Sequence, residues 1–403
     1  MKTHLTFTGL HNRRLHLGVT GSAAAYKALE LVRQWVGTGA HVGVTLTRAT
    51  QAFITPLAFT VLGADPVHYV MFDPLACFAH LYPGQQAEAF VIAPATANIL
   101  AALANGLTND LLSCQALSFS RPIVLAPAMN QKMWEASQTR ANVARLRELG
   151  HIFVGPDVGF LACGEMGEGR LARLEHIHLH GLRMLCPQDL AGQRLLLTLG
   201  PTHEPWDAAR HWTNPSSGRM GAALAVVAWL RGATVTAICG PCDLWLPPEI
   251  DRRDVHTAKD MDEAAQDLWP CMDIGCLTAA VADFSPVSYG PNKFKKYSLA
   301  EEFSISFVVN PDILKRLGVR KRADQLLVGF AAETDRIEEH AAYKLAAKRC
   351  DLLVANSIIE LGVGFQSATN RVLVLDRNGR QEAWPLLPKT EVAWRIWDWL
   401  VTL

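Results

Sequence analysis

A chain of 403 residues exceeds the length at which one hydrophobic core keeps growing, which predicts two domains of about 180 to 210 residues. Half of the residues are hydrophobic and 19% are charged, which excludes a disordered chain. Lys and Arg balance Asp and Glu at 38 each, so attraction of the whole molecule to nucleic acid or to an anionic membrane is not expected, and phosphorylated ligands must be held locally.

The longest apolar runs, such as Ala222 to Leu230, fall well short of the roughly 20 residues a membrane helix needs. The first fourteen residues lack the apolar core of a secretory signal, so the expected compartment is the cytoplasm. Nine scattered cysteines in a chain of this size predict reduced thiols. Cys239-Gly240-Pro241-Cys242 spells a redox motif, but Pro247 and Pro248 follow it and forbid the helix that would lower a thiol pKa. No second such pair completes a zinc site, and no dedicated metal cage is expected.

Short β-rich runs alternate with longer amphipathic stretches, which predicts βαβ units around a parallel sheet, twice over. In the first half, strands are expected at Leu15–Thr20, His41–Thr47, Ala89–Ala95, Pro122–Ala128 and His151–Val154, with helices at Ala23–Val36 and Asn130–Leu149 among them. The first strand runs into Gly18-Val19-Thr20-Gly21-Ser22, a turn that opens a helix. Such a turn cradles phosphate through backbone N–H groups and hydroxyls, although any doubly wound fold can carry one. Thr47, then Thr96 and Asn98, then Met129 and Asn130 follow at successive strand ends, the edge where ligands of open α/β sheets collect. A glycine-rich loop, Ala162-Cys163-Gly164-Glu165-Met166-Gly167-Glu168-Gly169-Arg170, comes last.

The Gly18 to Lys27 turn, Phe53-Ile54-Thr55-Pro56, His80, Pro94-Ala95-Thr96-Ala97-Asn98, Pro127-Ala128-Met129-Asn130 with Met133-Trp134, and the Cys163 loop occur in the order of one family. On these motifs, which span almost the whole first half, the sequence resembles the homo-oligomeric flavin-containing cysteine decarboxylases. The resemblance implies a flavodoxin-like domain with FMN bound by Gly21, Ser22, Thr47, Thr96, Asn98 and Met129. It implies that phosphopantothenoylcysteine is oxidised at its thiol-bearing carbon, loses CO2 and is then reduced. His80 would be the base for thiol oxidation, Asn130 the carboxylate ligand and Cys163 the proton donor. An unperturbed thiol is mostly protonated at neutral pH, which suits it to that last role. Outside such motifs a lone histidine is usually a surface or capping residue and a lone cysteine core packing.

Leu185–Gln193 reads as a linker, so domains are expected at 1–188 and 189–403. In the second half, strands are expected at Arg194–Leu199, Thr234–Cys239, Ile274–Ala280, Phe303–Val309, Gln325–Ala332 and Asp351–Ala355. A β pair turning at Asp376–Gly379 follows, with a Trp-rich helix from Thr390. Asn214-Pro215-Ser216-Ser217-Gly218 again puts hydroxyls and glycine before a helix, as a phosphate loop or a simple cap would. With Gly200-Pro201-Thr202, Ala280 to Asp283, Lys293-Phe294-Lys295-Lys296, Asn310-Pro311-Asp312-Ile313 and Gly329 to Thr334, this half resembles phosphopantothenate-cysteine ligases.

That resemblance implies activation of 4'-phosphopantothenate as an acyl nucleotide, then capture by cysteine. Fusion to a decarboxylase implies CTP, with Mg2+ travelling on the triphosphate. Lys293 would assist formation of the acyl cytidylate, Asn214 and Arg210 would stabilise it, and Asp283 would contact the sugar. Ser216, Ser217, Gly218, Ala280, Asn310, Asp312, Ile313, Phe330, Lys344 and Lys348 complete the implied nucleotide site. Lys344 and Lys348 stand one helical turn apart and equally fit a solvated face, as do Lys295 and Lys296. His203, Pro215, Arg219 and Ser357 depart from the pattern around phosphate-facing positions.

The fold expected is therefore α/β, with two doubly wound, largely parallel sheets. The partners implied are 4'-phosphopantothenate, cysteine and CTP, and a homo-oligomer combining trimeric decarboxylase and dimeric ligase contacts. A flavin prenyltransferase would have no use for the Cys163 loop or Lys293, and a non-catalytic flavin-fold regulator would not need both His80 and Cys163.

Overall fold

A computed structural model describes residues 5–295, 303–333, 335–357 and 367–403; Lys296 and Thr334, and the side chain of Ser357, lie outside the described residues. The chain divides into two compact units, one of residues Phe7–Cys186 and one of Pro187–Leu403 joined by the segment before Phe7. No helix among the described residues is long and apolar enough to cross a membrane.

The first unit is built on β1 (Arg14–Val19), β2 (His41–Leu46), β3 (Val67–His68), β4 (Ala89–Ala95), β5 (Val124–Pro127) and β6 (Ile152–Phe153), in the parallel order β3-β2-β1-β4-β5-β6. Without the two-residue edge strand β3 this is the 2-1-3-4-5 order of a flavodoxin-like sheet. β1, β2 and β4 bury almost every residue because helices cover both faces, which explains their continuous apolar runs.

Three expectations need correction in this unit. The helix at Ala23–Val36 begins as a 3-10 turn over Ala23–Tyr26, because Ser22 Oγ accepts from Ala24 N–H and tightens the first turn; the α-helix proper is Lys27–Val36. The stretch Asn130–Leu149 is two helices, Gln131–Glu135 and Ser137–Glu148, broken at Ala136. The break keeps Trp134 buried while Arg140 of the second helix lies over its ring. The glycine-rich loop is a hairpin, β7 (Asp157–Phe160) and β8 (Met166–Arg170), whose tip is closed by a hydrogen bond from Leu161 N–H to Glu165 C=O.

The second unit contains β9 (Arg194–Leu199), β10 (His203–Pro205), β11 (His211–Thr213), β12 (Thr234–Cys239), β13 (Asp251–Asp254), β14 (Ile274–Leu277), β15 (Phe284–Pro286), β16 (Phe307–Val309), β17 (Leu326–Glu333), β18 (Leu352–Ser357), β19 (Thr369–Asn370), β20 (Val372–Asp376), β21 (Gln381–Ala383) and β22 (Leu387–Pro388). Its main sheet runs β13-β12-β9-β14-β17-β18-β20-β21; β13 to β18 are parallel, and β20 and β21 add an antiparallel edge. The strand expected at Phe303–Val309 does not enter this sheet. Only Phe307–Val309 is a strand; all three residues are exposed, and it pairs with β15 in a separate antiparallel ribbon.

The final helix, Lys389–Val401, packs on the helix Arg219–Leu230, which is buried from Gly221 onward, and Trp397 Nε1–H donates to Leu224 C=O at 3.1 Å. At the end of the buried helix Arg231, 1% exposed, makes a two-pronged bond to Asp189 at 2.5 and 2.9 Å and reaches Asp398 at 2.6 Å. Asp189, thus hydrogen-bonded, titrates below the usual carboxylate range. Removing one member of a buried ion network strands the others, but Asp398 is half exposed and water recovers part of the loss. Arg231→Met is therefore expected to lower the stability of the second unit by about 2 kcal/mol, below the ~3–5 of a fully buried pair, as read from its urea midpoint.

Candidate functional sites

In each sheet the connections reverse direction at the central strand pair, β1 with β4 and β9 with β14, and the loops beyond those strands define a crevice. In the first unit Thr20 ties the two sides together, its hydroxyl donating to Pro94 C=O at 2.7 Å and accepting from Thr96 N–H at 3.1 Å. Ser22, Thr47 and Thr96 are the N-caps of the segments leaving β1, β2 and β4. Thr47 and Thr96 make no side-chain cap bond, so these hydroxyls and first-turn N–H groups lie at one sheet edge. Gly21 lies in the same turn against Ala49, whose Cβ would stand 2.5 Å from any Cβ at position 21. Asn98 is exposed on the first turn of the helix after Thr96.

Beside this edge a cavity of about 470 Å3 is lined by Ser22, Lys27, Met129, Asn130, Cys163 and Arg170 among others, with Tyr26 and Phe160 exposed in its wall. The hairpin is held to the strand-five loop by Met129 N–H donating to Gly169 C=O at 3.0 Å. Position 169 has φ +151°, and a Cβ there would stand 2.2 Å from Met129 O, so only glycine allows this approach. Asn130 caps the next helix through Oδ1, accepting from Lys132 N–H at 2.9 Å. That bond fixes the amide plane and turns Nδ2 toward Cys163 Sγ at 3.5 Å and Glu165 Oε2 at 3.3 Å; Sγ itself is 3.6 Å from the same carboxylate oxygen. Glu165 is thus part of the cluster, although nothing in its sequence setting marked it. Lys27 is pushed below its ordinary range by burial and then by Arg170.

His80 is not brought into this cavity. It lies exposed on a 3-10 turn, Ala79–Leu81, beside the exposed side chains of Phe72, Leu75 and Phe78.

The second unit gathers its candidates more fully. One cavity of about 600 Å3 is lined by Asn214, Ser216, Gly218, Ala280, Asp283, Asn310, Asp312, Ile313, Phe330, Lys344 and Lys348. Gly218 caps the helix Arg219–Leu230 with φ +70°, the left-handed conformation that its lack of a Cβ permits. Asn310 Nδ2 donates to Ala282 C=O at 2.8 Å and its N–H to Asp283 C=O at 2.9 Å, which fixes the Asp283 backbone while its side chain stays exposed. Asn214 spends its Nδ2 donors on Ala280 C=O and Val281 C=O, at 3.4 and 3.1 Å, and so steadies the same loop. Lys344 pairs with Glu333 at 2.6 Å and Lys348 with Asp312 at 3.2 Å; both line the cavity rather than a purely solvated face.

Ser217, Arg210 and Lys293 do not line it. Arg210 bonds Asp207 at 2.6 Å and Phe294 C=O at 3.3 Å and lies over Trp206 within an aromatic cluster of Trp206, Tyr289, Phe294 and Phe303; Lys293, next to Phe294, is exposed. His203 stacks on His211 at 4.0 Å, and burial followed by that neighbour lowers its pKa. Sequence reading missed Asn356, Asn370 and Lys389 in the cavity wall, and treated Arg219 only as a departure. The Cys239 and Cys242 thiols are free, and burial raises both, Cys239 to about 12, which removes the reactivity a redox pair needs.

Comparison with known proteins covers both units. Residues 6–180 match the family described as Flavoprotein, and residues 190–403 match the DNA/pantothenate metabolism flavoprotein C-terminal domain. The Coenzyme A biosynthesis bifunctional protein CoaBC of Escherichia coli strain K12 is 38% identical over 98% of this chain and 98% of its own length. The protein of the same name from Bacillus subtilis strain 168 is 38% identical over 96% of each. A crystal structure of the C-terminal domain of a CoaBC protein is 37% identical, covering 53% of this chain and 97% of that one, with a TM-score of 0.45. A flavoprotein unit followed by a pantothenate-metabolism unit, matched end to end at this identity, makes the chain a member of the bifunctional coenzyme A biosynthesis protein family.

Proposed function

We propose that the chain joins 4'-phosphopantothenate to cysteine at the expense of CTP in its second unit, and decarboxylates the product to 4'-phosphopantetheine with FMN in its first. The observation that carries this reading is that a chain matched end to end by bifunctional relatives places a chemically distinct cavity at the carboxyl edge of each of its two sheets.

The first unit suits FMN on its donor set: the Ser22 and Thr96 hydroxyls and the uncapped N–H groups after Thr47 and Thr96 match a phosphate, while the Thr47 hydroxyl bonds Thr50 Oγ1 at 2.9 Å and Gly21 packs its turn against Ala49. Gly21, Asn98 and Met129 border the same region. The bound flavin supplies a two-electron acceptor for the thiol-bearing carbon and later returns a hydride. Asn130, its amide fixed by the cap, directs Nδ2 at the substrate carboxylate in place of Glu165. Cys163 Sγ, beside Asn130 Nδ2 at 3.5 Å, gives its proton to the carbon that has lost CO2. His80 serves the same chemistry from a neighbouring subunit. The exposed Phe72, Leu75 and Phe78 around it support a subunit contact there, as in a trimeric decarboxylase, with a dimeric ligase contact beyond it.

In the second unit a carboxylate oxygen of phosphopantothenate attacks the CTP α-phosphorus and pyrophosphate leaves; the cysteine amine then attacks the acyl carbon and CMP leaves. Asp283 accepts the sugar hydroxyls. Ser216, Gly218 and the helix they open hold phosphate, with Ser217 beside them in the loop although outside the cavity wall, and Lys344 and Lys348 add charge to the same cavity. Ala280, Asn310, Asp312, Ile313 and Phe330 form the wall, and Asn214 positions the Ala280 loop. Arg210 and Lys293, which stand outside the cavity wall, act on the acyl phosphate. Mg2+ accompanies the triphosphate rather than occupying a protein cage.

Two outcomes test the assignment. With phosphopantothenoylcysteine supplied, Cys163→Ser should release CO2 but accumulate a product two hydrogens lighter than phosphopantetheine, by mass; full turnover would exclude the thiol as donor. Lys293→Gln and Asn214→Asp should each slow pyrophosphate release about a hundredfold or more. Both should leave decarboxylation of supplied phosphopantothenoylcysteine at the wild-type rate, and equal loss of both reactions would contradict separate sites.

A further inference from the structure

Lys389 opens the final helix and is only 4% exposed, and Asn370 is 5% exposed; both line the second-unit cavity. They are brought together by a ribbon of two-residue strands: Asn370 of β19 faces Leu387 of β22, and Lys389 N–H donates to Ala368 C=O at 3.1 Å. The helix N-cap is Pro388, which has no side-chain acceptor for the first-turn N–H groups, so the positive end of a 13-residue helix lies at the same wall. Asn370 Oδ1 is buried without a hydrogen-bond partner. Lys389 and Arg219 repel, and Arg219 is the first residue of the helix opened by the Ser216–Gly218 loop. Burial first, and Arg219 second, push the Lys389 amine down to about 8. The cavity wall as a whole carries four cationic side chains, Arg219, Lys344, Lys348 and Lys389, against the carboxylates of Asp283 and Asp312.

Two cations that line one cavity, on the N-terminal turns of two helices, match a multiply charged anion. We propose that Lys389, with Arg219 and Asn370, binds the pyrophosphoryl part of the nucleotide, the group that leaves when the acyl cytidylate forms. This rests on the reading of the cavity as a CTP site and assigns its second end. Because Arg219 directly follows the phosphate loop, Lys389 faces the β- and γ-phosphates rather than the phosphate of phosphopantothenate. The Asn370 amide offers its Nδ2–H donors to the same anion.

The test is calorimetric titration of the full chain at pH 7 with magnesium pyrophosphate, CMP and 4'-phosphopantothenate. Lys389→Met keeps the apolar stem and Asn370→Asp sets a carboxylate against the anion, so failure of one variant to fold leaves the other informative. Both should bind pyrophosphate about tenfold more weakly or worse, with CMP and phosphopantothenate affinities changed by less than about twofold. Wild-type pyrophosphate affinity in both variants, or a loss confined to phosphopantothenate, would overturn the assignment while the nucleotide reading stands. Wild-type protein that binds neither CMP nor pyrophosphate would remove the nucleotide reading itself, and this subsite with it.

Discussion

Where the helices of a parallel sheet switch from one face to the other, the strand ends diverge and backbone N–H groups at the carboxyl edge lose their sheet partners. Both main sheets place that point between their first and fourth strands in chain order, β1 with β4 and β9 with β14, and the two cavities lie at or beside it, whereas His80, Arg210 and Lys293 stand outside them. A negatively charged ligand is the natural occupant, since helix starts supply N–H donors and dipoles there without any net charge on the chain. This reconciles equal numbers of acidic and basic residues with two phosphorylated ligands.

The sheets fix the position of each crevice, and small ribbons outside them bring further polar side chains to it. The β7–β8 hairpin brings Cys163 and Glu165 to Asn130 and locks onto Met129 through a glycine that no other residue can replace. The β15–β16 ribbon carries Asn310 to the Asp283 loop, where Ser285 Oγ bonds Asn310 Oδ1 at 2.6 Å and buried Glu204 at 2.7 Å. The β19–β22 ribbon presents Asn370 and Lys389. Each ribbon is too short to be stable by itself; the β7–β8 hairpin is held by the backbone bond from Met129 to Gly169, and the β15–β16 ribbon by the side chains of Ser285 and Asn310.

This division explains what the sequence made legible. Long strands buried on both faces, such as Ala89–Ala95, announce themselves as unbroken apolar runs, and the turns beyond them carry recognisable glycine and hydroxyl patterns. Ribbons of two or three exposed residues have no period to read, so Phe307–Val309 was assigned to the wrong sheet and the Cys163 hairpin looked like a loop. Lys389 was invisible for a different reason: its burial depends on Asn370 and Arg219, which are 19 and 170 residues away in the chain, and local composition gives only a helix start. Glu165 was passed over because an acid among glycines reads as solvated turn, and its meaning comes from an amide orientation set by the Asn130 cap. His80 was legible as a motif residue, but the fold leaves its side chain exposed and outside the cavity of its own chain.

The central claim, two anion-holding crevices that hand one intermediate from ligation to decarboxylation, is tested most directly by product analysis. The FMN-loaded chain would be incubated with 4'-phosphopantothenate, cysteine, CTP and Mg2+, and products would be followed by mass. The account predicts 4'-phosphopantetheine, with pyrophosphate and CO2 released in equal amounts. Folded protein that stays colourless after exposure to FMN, and releases neither pyrophosphate nor CO2, would contradict it.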